Sequence, residues 1–127
     1  MNKAFSGDKL DANHMPAKAS YKDLKIPANG GKVLLAADGP AIQMEKADHE
    51  KTASYGSIAG SSQYRDRQKI AILENKFGKA IQMDITNVES IAAKAKDPER
   101  YTQAIKEMIA SLDPRMKAGA RFDAKYL

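Results

Sequence analysis

The sequence lacks cysteine and tryptophan and has only two histidines, and these absences limit its chemistry. Without cysteine the chain has no disulfide, no thiol nucleophile and no thiolate metal ligand. No stretch approaches the run of about 20 apolar residues that a membrane helix needs, so no membrane partner is expected. Imidazole is the side chain that titrates nearest neutral pH, at about 6.5, and it is also the commonest metal ligand. Acid–base chemistry at neutral pH is therefore expected at His14 and His49.

The composition predicts a single globular domain with a basic surface. The 127 residues, 43% of them hydrophobic and 29% charged, can bury a modest core. The net charge of +5 attracts polyanions, so nucleic acid is the natural class of partner. Within 1–127 we expect a site region over 1–60, a helical scaffold over 61–113 and a basic tail over 114–127.

Short apolar runs and turn residues predict a β-hairpin in the N-terminal region. The run 32–37 is β-like, 38–40 is the turn sequence Asp-Gly-Pro, and 41–44 is a second strand. Before the hairpin, a proline at the first helical position predicts a short helix over 17–24. After it, the pattern over 46–54 becomes that of a short helix.

Apolar side chains three or four residues apart predict three longer helices in the C-terminal part. The first begins at a serine cap at 61–62 and runs to about residue 76, and the second covers 79–96. Asp97-Pro98 marks the start of the third helix, which ends before residue 113. The tail that follows, 115–127, is either a docked arm or a frayed end.

The first histidine lies in the cluster Asp11-Ala12-Asn13-His14-Met15-Pro16. Because proline restricts the residue before it to extended backbone, such a loop can hold His14 at a strand end or a turn. From there an imidazole can deprotonate a water for attack on phosphorus. The side-chain oxygen of Asp11 or Asn13 can ligate a hard divalent cation that polarises the phosphoryl group. The alternative is a turn histidine on a solvated loop.

The second histidine, His49, follows Asp48 on the predicted short helix, and Thr52 lies on nearly the same face. A hairpin followed by a helix that delivers a histidine is the layout of the ββα-metal nucleases. In these enzymes one histidine acts as the base from the hairpin side, and the helix contributes a metal ligand. The alternative is that His49 belongs to a charged helix face, with Lys46 and Glu50 as ordinary surface charges.

Five short strings in this sequence together resemble a known family. They are Asn13-His14-Met15-Pro16, Gly39-Pro-Ala-Ile-Gln-Met44, Asp48-His49-x-x-Thr52-Ala-Ser54-x-Gly56-Ser57, Tyr64-Arg65 with Gln68, and Ala80-Ile-Gln-Met-Asp-Ile85. In this order they resemble C-terminal toxin domains of bacterial polymorphic toxins, namely those of contact-dependent inhibition, Rhs and type VI secretion systems. These domains are assigned to the HNH/endonuclease VII-like nucleases. The resemblance covers about residues 11–110, and the string that begins at Asp48 is its most specific part.

The resemblance implies an α+β fold with a small ββα-metal core near the N-terminus, followed by a mostly helical C-terminal part. It implies that His14 is the general base and that His49, with Asp11 or Asn13, is a catalytic residue on the metal side. Many HNH-type sites have paired histidines at the first position and two histidines on the helix. The smaller set here favours a water-rich Mg²⁺ or Mn²⁺ over Zn²⁺. The remaining candidates for the metal shell or for phosphate contact are Asp48, Thr52 and Ser54.

Positive charge is concentrated at the start of the first long helix, on Arg65, Arg67 and Lys69. Phosphate contact is the functional interpretation of these side chains. Because Asp66 and Glu74 are interleaved with them, an ordinary solvated helix face is the alternative.

The resemblance also implies a biological setting. The chain would be delivered as the C-terminal part of a larger secreted toxin, act in the cytoplasm of the target cell and cleave DNA ahead of RNA. A cognate immunity protein would neutralise it, and the basic charge predicts that this partner is acidic. Two alternatives remain open. One is a metal-independent ribonuclease that uses His14 and His49 as acid and base, and the other is a non-enzymatic basic domain that binds nucleic acid.

Overall fold

The computed structural model describes residues 10–21, 26–27, 33–34, 39–56 and 59–127. These residues form an α+β fold in which a small antiparallel sheet packs against helices and the C-terminal part is mostly helical. The predicted α+β class is therefore confirmed at this level. In the described ranges, no helix is long and apolar enough to cross a membrane.

The strands form two separate antiparallel pairs. In chain order they are β1 (Leu10–His14), β2 (Ile26–Pro27), β3 (Val33–Leu34) and β4 (Ala41–Glu45). β1 pairs with β4, which places His14 opposite Ala41, and β2 pairs with β3.

The predicted hairpin between 32–37 and 41–44 is therefore wrong. The second strand exists, but its partner is β1 rather than the nearer apolar run. The reason is burial, since Ile42 and Met44 on alternate positions of β4 are 4% and 0% exposed and need a core beneath them. Residues 32 and 35–38 of the predicted hairpin lie outside the described residues.

The helices follow the sequence pattern more closely than the strands do. They are α1 (Lys46–His49), α2 (Ser61–Leu73), α3 (Phe77–Lys94) and α4 (Thr102–Ala110). The last begins later than predicted because residues 98–101 form turns. Likewise, the helix predicted over 46–54 ends at His49 and continues as turns. Of the helix predicted over 17–24, the described residues show the 3₁₀ helix Lys18–Ser20, and 22–25 lie outside the described residues.

The main core lies between α3, α4 and the β1–β4 sheet. α3 contributes a continuous apolar stripe that includes Ile81, Ile85 and Val88, all of them at most 1% exposed. Ile105 of α4 and Met44 of β4 belong to the same cluster. This core fixes the position of β4 and therefore of the short helix α1 that follows it.

The C-terminal tail is a docked arm, one of the two alternatives predicted for it. Tyr126 is buried, and its hydroxyl donates a hydrogen bond to Glu89 Oε2 on α3 at 2.6 Å. The 3₁₀ helix Pro114–Lys117 begins after Asp113, whose carboxylate accepts a hydrogen bond from the Arg115 backbone N–H at 2.9 Å. A hydrogen bond from the Lys79 N–H of α3 to the Ala118 carbonyl, at 3.2 Å, holds the tail to the helices at a second point.

Gly78, near the start of α3, lies where the tail closely approaches that helix. A Cβ at this position would lie 2.5 Å from the carbonyl carbon and oxygen of Lys117. Alanine in a helix normally gains up to about 1 kcal/mol over glycine, but overpacking costs about 1–3 kcal/mol. We therefore expect Gly78→Ala to lower the free energy of unfolding measured by urea denaturation. Ser90→Ala, at an exposed position of α3, is the matched control, and equal stability of the two variants would contradict the close approach.

Candidate active site

The two histidines line the same open cleft beside the β1–β4 sheet. Its volume is about 230 Å³. The lining residues are Ala12, Asn13, His14, Ala17, Lys18, His49, Ser54, Tyr55 and Gly56. The cleft thus brings together two imidazoles, a carboxamide, a hydroxyl, a phenol and one ammonium group.

His14 reaches the cleft because it is the last residue of β1. The residue that follows, Met15, is fully buried, and its N–H donates a hydrogen bond to the Pro40 carbonyl at 2.8 Å. The chain beyond it turns into the 3₁₀ helix Lys18–Ser20, which forms part of the cleft wall. His14 is therefore held at a strand end, as the proline-containing cluster predicted.

His49 is paired with Asp11, which lies on β1. Its Nδ1 lies 3.1 Å from Asp11 Oδ2, and the two side chains are 18% and 35% exposed. Since a carboxylate only accepts hydrogen bonds, a proton on Nδ1 completes this bond and leaves a lone pair on Nε2. The ring of Tyr55 packs edge-to-face against the imidazole, with centroids 4.9 Å apart. Two neighbours thus fix the orientation of this histidine.

Asp48, a predicted metal-side residue, does not line the cleft. It is 3% exposed, and its Oδ2 accepts hydrogen bonds from the Tyr101 hydroxyl and from Arg100 Nη1. The same hydroxyl accepts a hydrogen bond from the Glu45 N–H at 3.1 Å. Burial raises the pKa of Tyr101 above its usual value, so this hydroxyl keeps the proton that it donates. The carboxylate therefore anchors α1, and with it His49.

The other polar residues predicted near the metal or phosphate differ in their surroundings. Asn13 lines the cleft, and its Nδ2 donates a hydrogen bond to Met44 Sδ at 3.1 Å, which leaves its side-chain oxygen for a ligand. Thr52 is 2% exposed and lies outside the lining, because its hydroxyl donates to the His49 carbonyl and closes the turn after α1. Ser54 lines the cleft but is 8% exposed.

The three cations predicted to contact phosphate have separate environments. Arg65 Nη1 donates hydrogen bonds to the carbonyls of Ser54 at 2.8 Å and Gly56 at 2.9 Å, so it stabilises the backbone of these two cleft residues. Arg67 and Lys69 are exposed and do not line the cleft. Only these last two therefore present their charge to solvent.

Lys18 and Tyr55 line the cleft although neither was predicted as a site residue. Tyr55 stands at a variable position of the most specific string in the resemblance, one residue before Gly56, and that position could have drawn attention to it. Lys18 lies in a short segment with no motif around it. Nothing in the sequence separates it from the other lysines.

No family model matches the sequence, and no curated protein or solved structure matches it either. Among the described residues, no group of three or more His, Cys, Asp or Glu side chains is placed to hold a metal ion. Asp11, predicted as a metal-side residue, does not line the cleft, and its carboxylate is connected to the cleft through the hydrogen bond with His49 Nδ1.

Proposed function

We propose that this chain is a metal-dependent nuclease with a ββα-metal core, and that the cleft hydrolyses phosphodiester bonds. The order of elements around the cleft is the observation that carries the proposal. β1 ends in His14, its antiparallel partner β4 leads directly into α1, and α1 ends in His49. A base on a strand and a metal-side histidine on the following helix are the arrangement that the family resemblance implies.

His14 is the general base in this proposal. Neutral imidazole accepts a proton from the attacking water, whose oxygen forms a new bond to phosphorus while the bond to the leaving oxygen breaks. The strand end holds His14 at the cleft without burying it fully, so both water and substrate can reach it. His49 lines the same cleft, and its contact with Asp11 gives it a different role.

His49 would hold a divalent cation through Nε2, and Asp11, which is hydrogen-bonded to Nδ1 on the other side of the ring, would keep the imidazole in position. An imidazole together with the side-chain oxygen of Asn13, which also lines the cleft, suits a Mg²⁺ or Mn²⁺ that keeps several waters. When bound, the cation supplies polarisation of the phosphoryl group and stabilises the charge on the leaving oxygen. Tyr55 keeps the His49 ring in place, and Asp48 acts only through the position of α1.

DNA is the proposed substrate, and the net charge of +5 supports this choice because a basic protein attracts a polyanion. The exposed cations Arg67 and Lys69 would contact the nucleic-acid backbone outside the cleft. On the family resemblance, the chain would be the toxic part of a larger secreted protein that is delivered into the cytoplasm of a competing cell. An acidic immunity protein would protect the cell that makes it.

Dependence on a divalent cation tests the proposal directly. Plasmid DNA is expected to be nicked and linearised by the purified protein in Mg²⁺ or Mn²⁺, and not in excess EDTA. Asp11→Asn should raise the Mg²⁺ concentration needed for half-maximal rate by about 10–100-fold. Asp66→Asn, which removes an exposed carboxylate on α2, is the matched control and should leave that concentration unchanged. Full activity in excess EDTA would contradict the proposed mechanism.

A metal-independent ribonuclease is the second candidate function. It is favoured by the placement of both imidazoles at one cleft, together with the lack of a three-residue metal-ligating group among the described residues. In this reaction one histidine removes the proton of the RNA 2′-hydroxyl, and the other protonates the leaving oxygen. Cleavage of tRNA or ribosomal RNA in EDTA, without cleavage of DNA, would establish it in place of the first.

A further inference from the structure

We propose that Lys18 binds a phosphate group of the nucleic acid at the cleft, and that a buried chain of hydrogen bonds through Ser20 holds it there. The inference rests on the proposed function, because it assigns the cation that neutralises a phosphate beside the two histidines. It also identifies Ser20 as a positioning residue.

Lys18 is the cation of the cleft. Among the described residues that line it, Lys18 alone carries a permanent positive charge. Its side chain is exposed, and none of the described residues forms an ion pair with it. A phosphate in contact with His14 and His49 would therefore find its counter-charge on the wall formed by the 3₁₀ helix Lys18–Ser20.

This wall is anchored inside the protein rather than lying loosely on its surface. Ser20 is 1% exposed, and its Oγ donates a hydrogen bond to Gln68 Oε1 at 3.0 Å. Gln68 is fully buried, and its Nε2 donates to Asp84 Oδ2 at 2.8 Å and to the Ala80 carbonyl at 3.2 Å. A lysine on an anchored backbone loses less conformational entropy when it binds than one on a mobile segment.

The opposite wall is held by the same helix. Arg65, one turn before Gln68 on α2, binds the carbonyls of Ser54 and Gly56. α2 is therefore hydrogen-bonded both to the 3₁₀ helix that carries Lys18 and to the loop that carries Tyr55.

Binding of DNA in EDTA, where the proposed nuclease is inactive, isolates this role from catalysis. The probe is a short fluorescent DNA duplex, and its dissociation constant is measured by anisotropy at several salt concentrations. Lys18→Ala should weaken binding about three- to tenfold at about 0.05 M salt and reduce the slope of log K against log salt by about 0.9. Lys18→Arg should keep the wild-type slope.

Lys106→Ala is the matched control, because it removes the same charge from an exposed position of α4 that does not line the cleft. It should leave the slope unchanged. The same slope and affinity for Lys18→Ala and Lys106→Ala would overturn the assignment. A Lys18-dependent slope with no cleavage under any metal condition would instead support the phosphate site while the proposed nuclease function fails.

A double-mutant cycle tests the positioning role of Ser20. If this hydroxyl acts only by holding Lys18, then Ser20→Ala should weaken binding about two- to threefold in the wild-type background and not at all in Lys18→Ala. Equal losses in the two backgrounds would show a general structural effect and overturn that role. Urea denaturation of both variants checks that the fold is retained.

Discussion

His14→Ala is expected to lower the rate of phosphodiester cleavage by about 10²–10⁴-fold, the range that a general base usually contributes. The substitution removes the proton acceptor and leaves Lys18 and the Asp11–His49 pair in place. The affinity for DNA should therefore change little. Single-turnover cleavage of plasmid DNA at saturating protein measures the chemical step, and anisotropy in EDTA measures the affinity.

Gln43→Ala provides the matched control for this variant, because Gln43 is an exposed residue on the partner strand β4. It should cleave at the wild-type rate. A wild-type rate for His14→Ala would contradict the role of general base. Loss of cleavage with folding and DNA affinity intact would exclude the alternative of a non-enzymatic binding domain.

Asp84 is expected to make the protein less stable as the pH rises from about 4 to about 7. Burial raises the pKa of Asp84 to about 7, although hydrogen bonds from Tyr64 at 2.7 Å and Gln68 at 2.8 Å oppose this rise. In the unfolded chain the carboxyl titrates at about 3.9. Between these pH values the folded state holds a proton that the unfolded chain has released, so raising the pH favours unfolding. The difference corresponds to about 4 kcal/mol in the free energy of unfolding.

Asp84→Asn should remove this contribution to the pH dependence. The amide has the same shape, its oxygen can accept from Gln68, and its nitrogen can donate to the Tyr64 hydroxyl oxygen. Urea denaturation between about pH 4 and pH 8 is expected to show the stability of the wild type falling relative to Asp84→Asn. Asp66→Asn, at an exposed position of α2, should follow the wild type. Parallel curves for the wild type and Asp84→Asn would contradict the burial argument.

The three longer helices α2, α3 and α4 can be predicted from the sequence, whereas the extent of the short helices and the strand pairing cannot. α3 follows an apolar period that neighbouring residues establish by themselves. The pairing of Leu10 with Glu45 joins distant residues, and between them lies an apolar run that offers β4 a nearer partner. A turn sequence favours that nearer pairing. The observed pairing instead depends on a core that α3 and α4 complete, and a local pattern does not contain this information.

The functional site, like the strand pairing, can be predicted only in part from the local sequence. Histidine and carboxylate side chains can be proposed as chemical groups because few other residue types supply that chemistry. Their division into cleft and scaffold depends on partners that the fold selects. Asp48 accepts a hydrogen bond from Tyr101, and Arg65 donates one to the carbonyl of Ser54, so neither side chain lines the cleft. Lys18 lines the cleft on a segment that the hydrogen bond from Ser20 to Gln68 anchors to α2. No sequence motif indicates any of these three contacts.

Expression of the chain in bacteria tests the central claim most directly. Wild type, His14→Ala and Gln43→Ala would be induced to equal protein levels, with chromosomal DNA followed by gel electrophoresis and by staining of cells. The wild type and Gln43→Ala are expected to degrade the chromosome, and cells with His14→Ala are expected to keep it intact. An intact chromosome with the wild type, or its loss with His14→Ala, would contradict a DNA nuclease that uses His14 as its base.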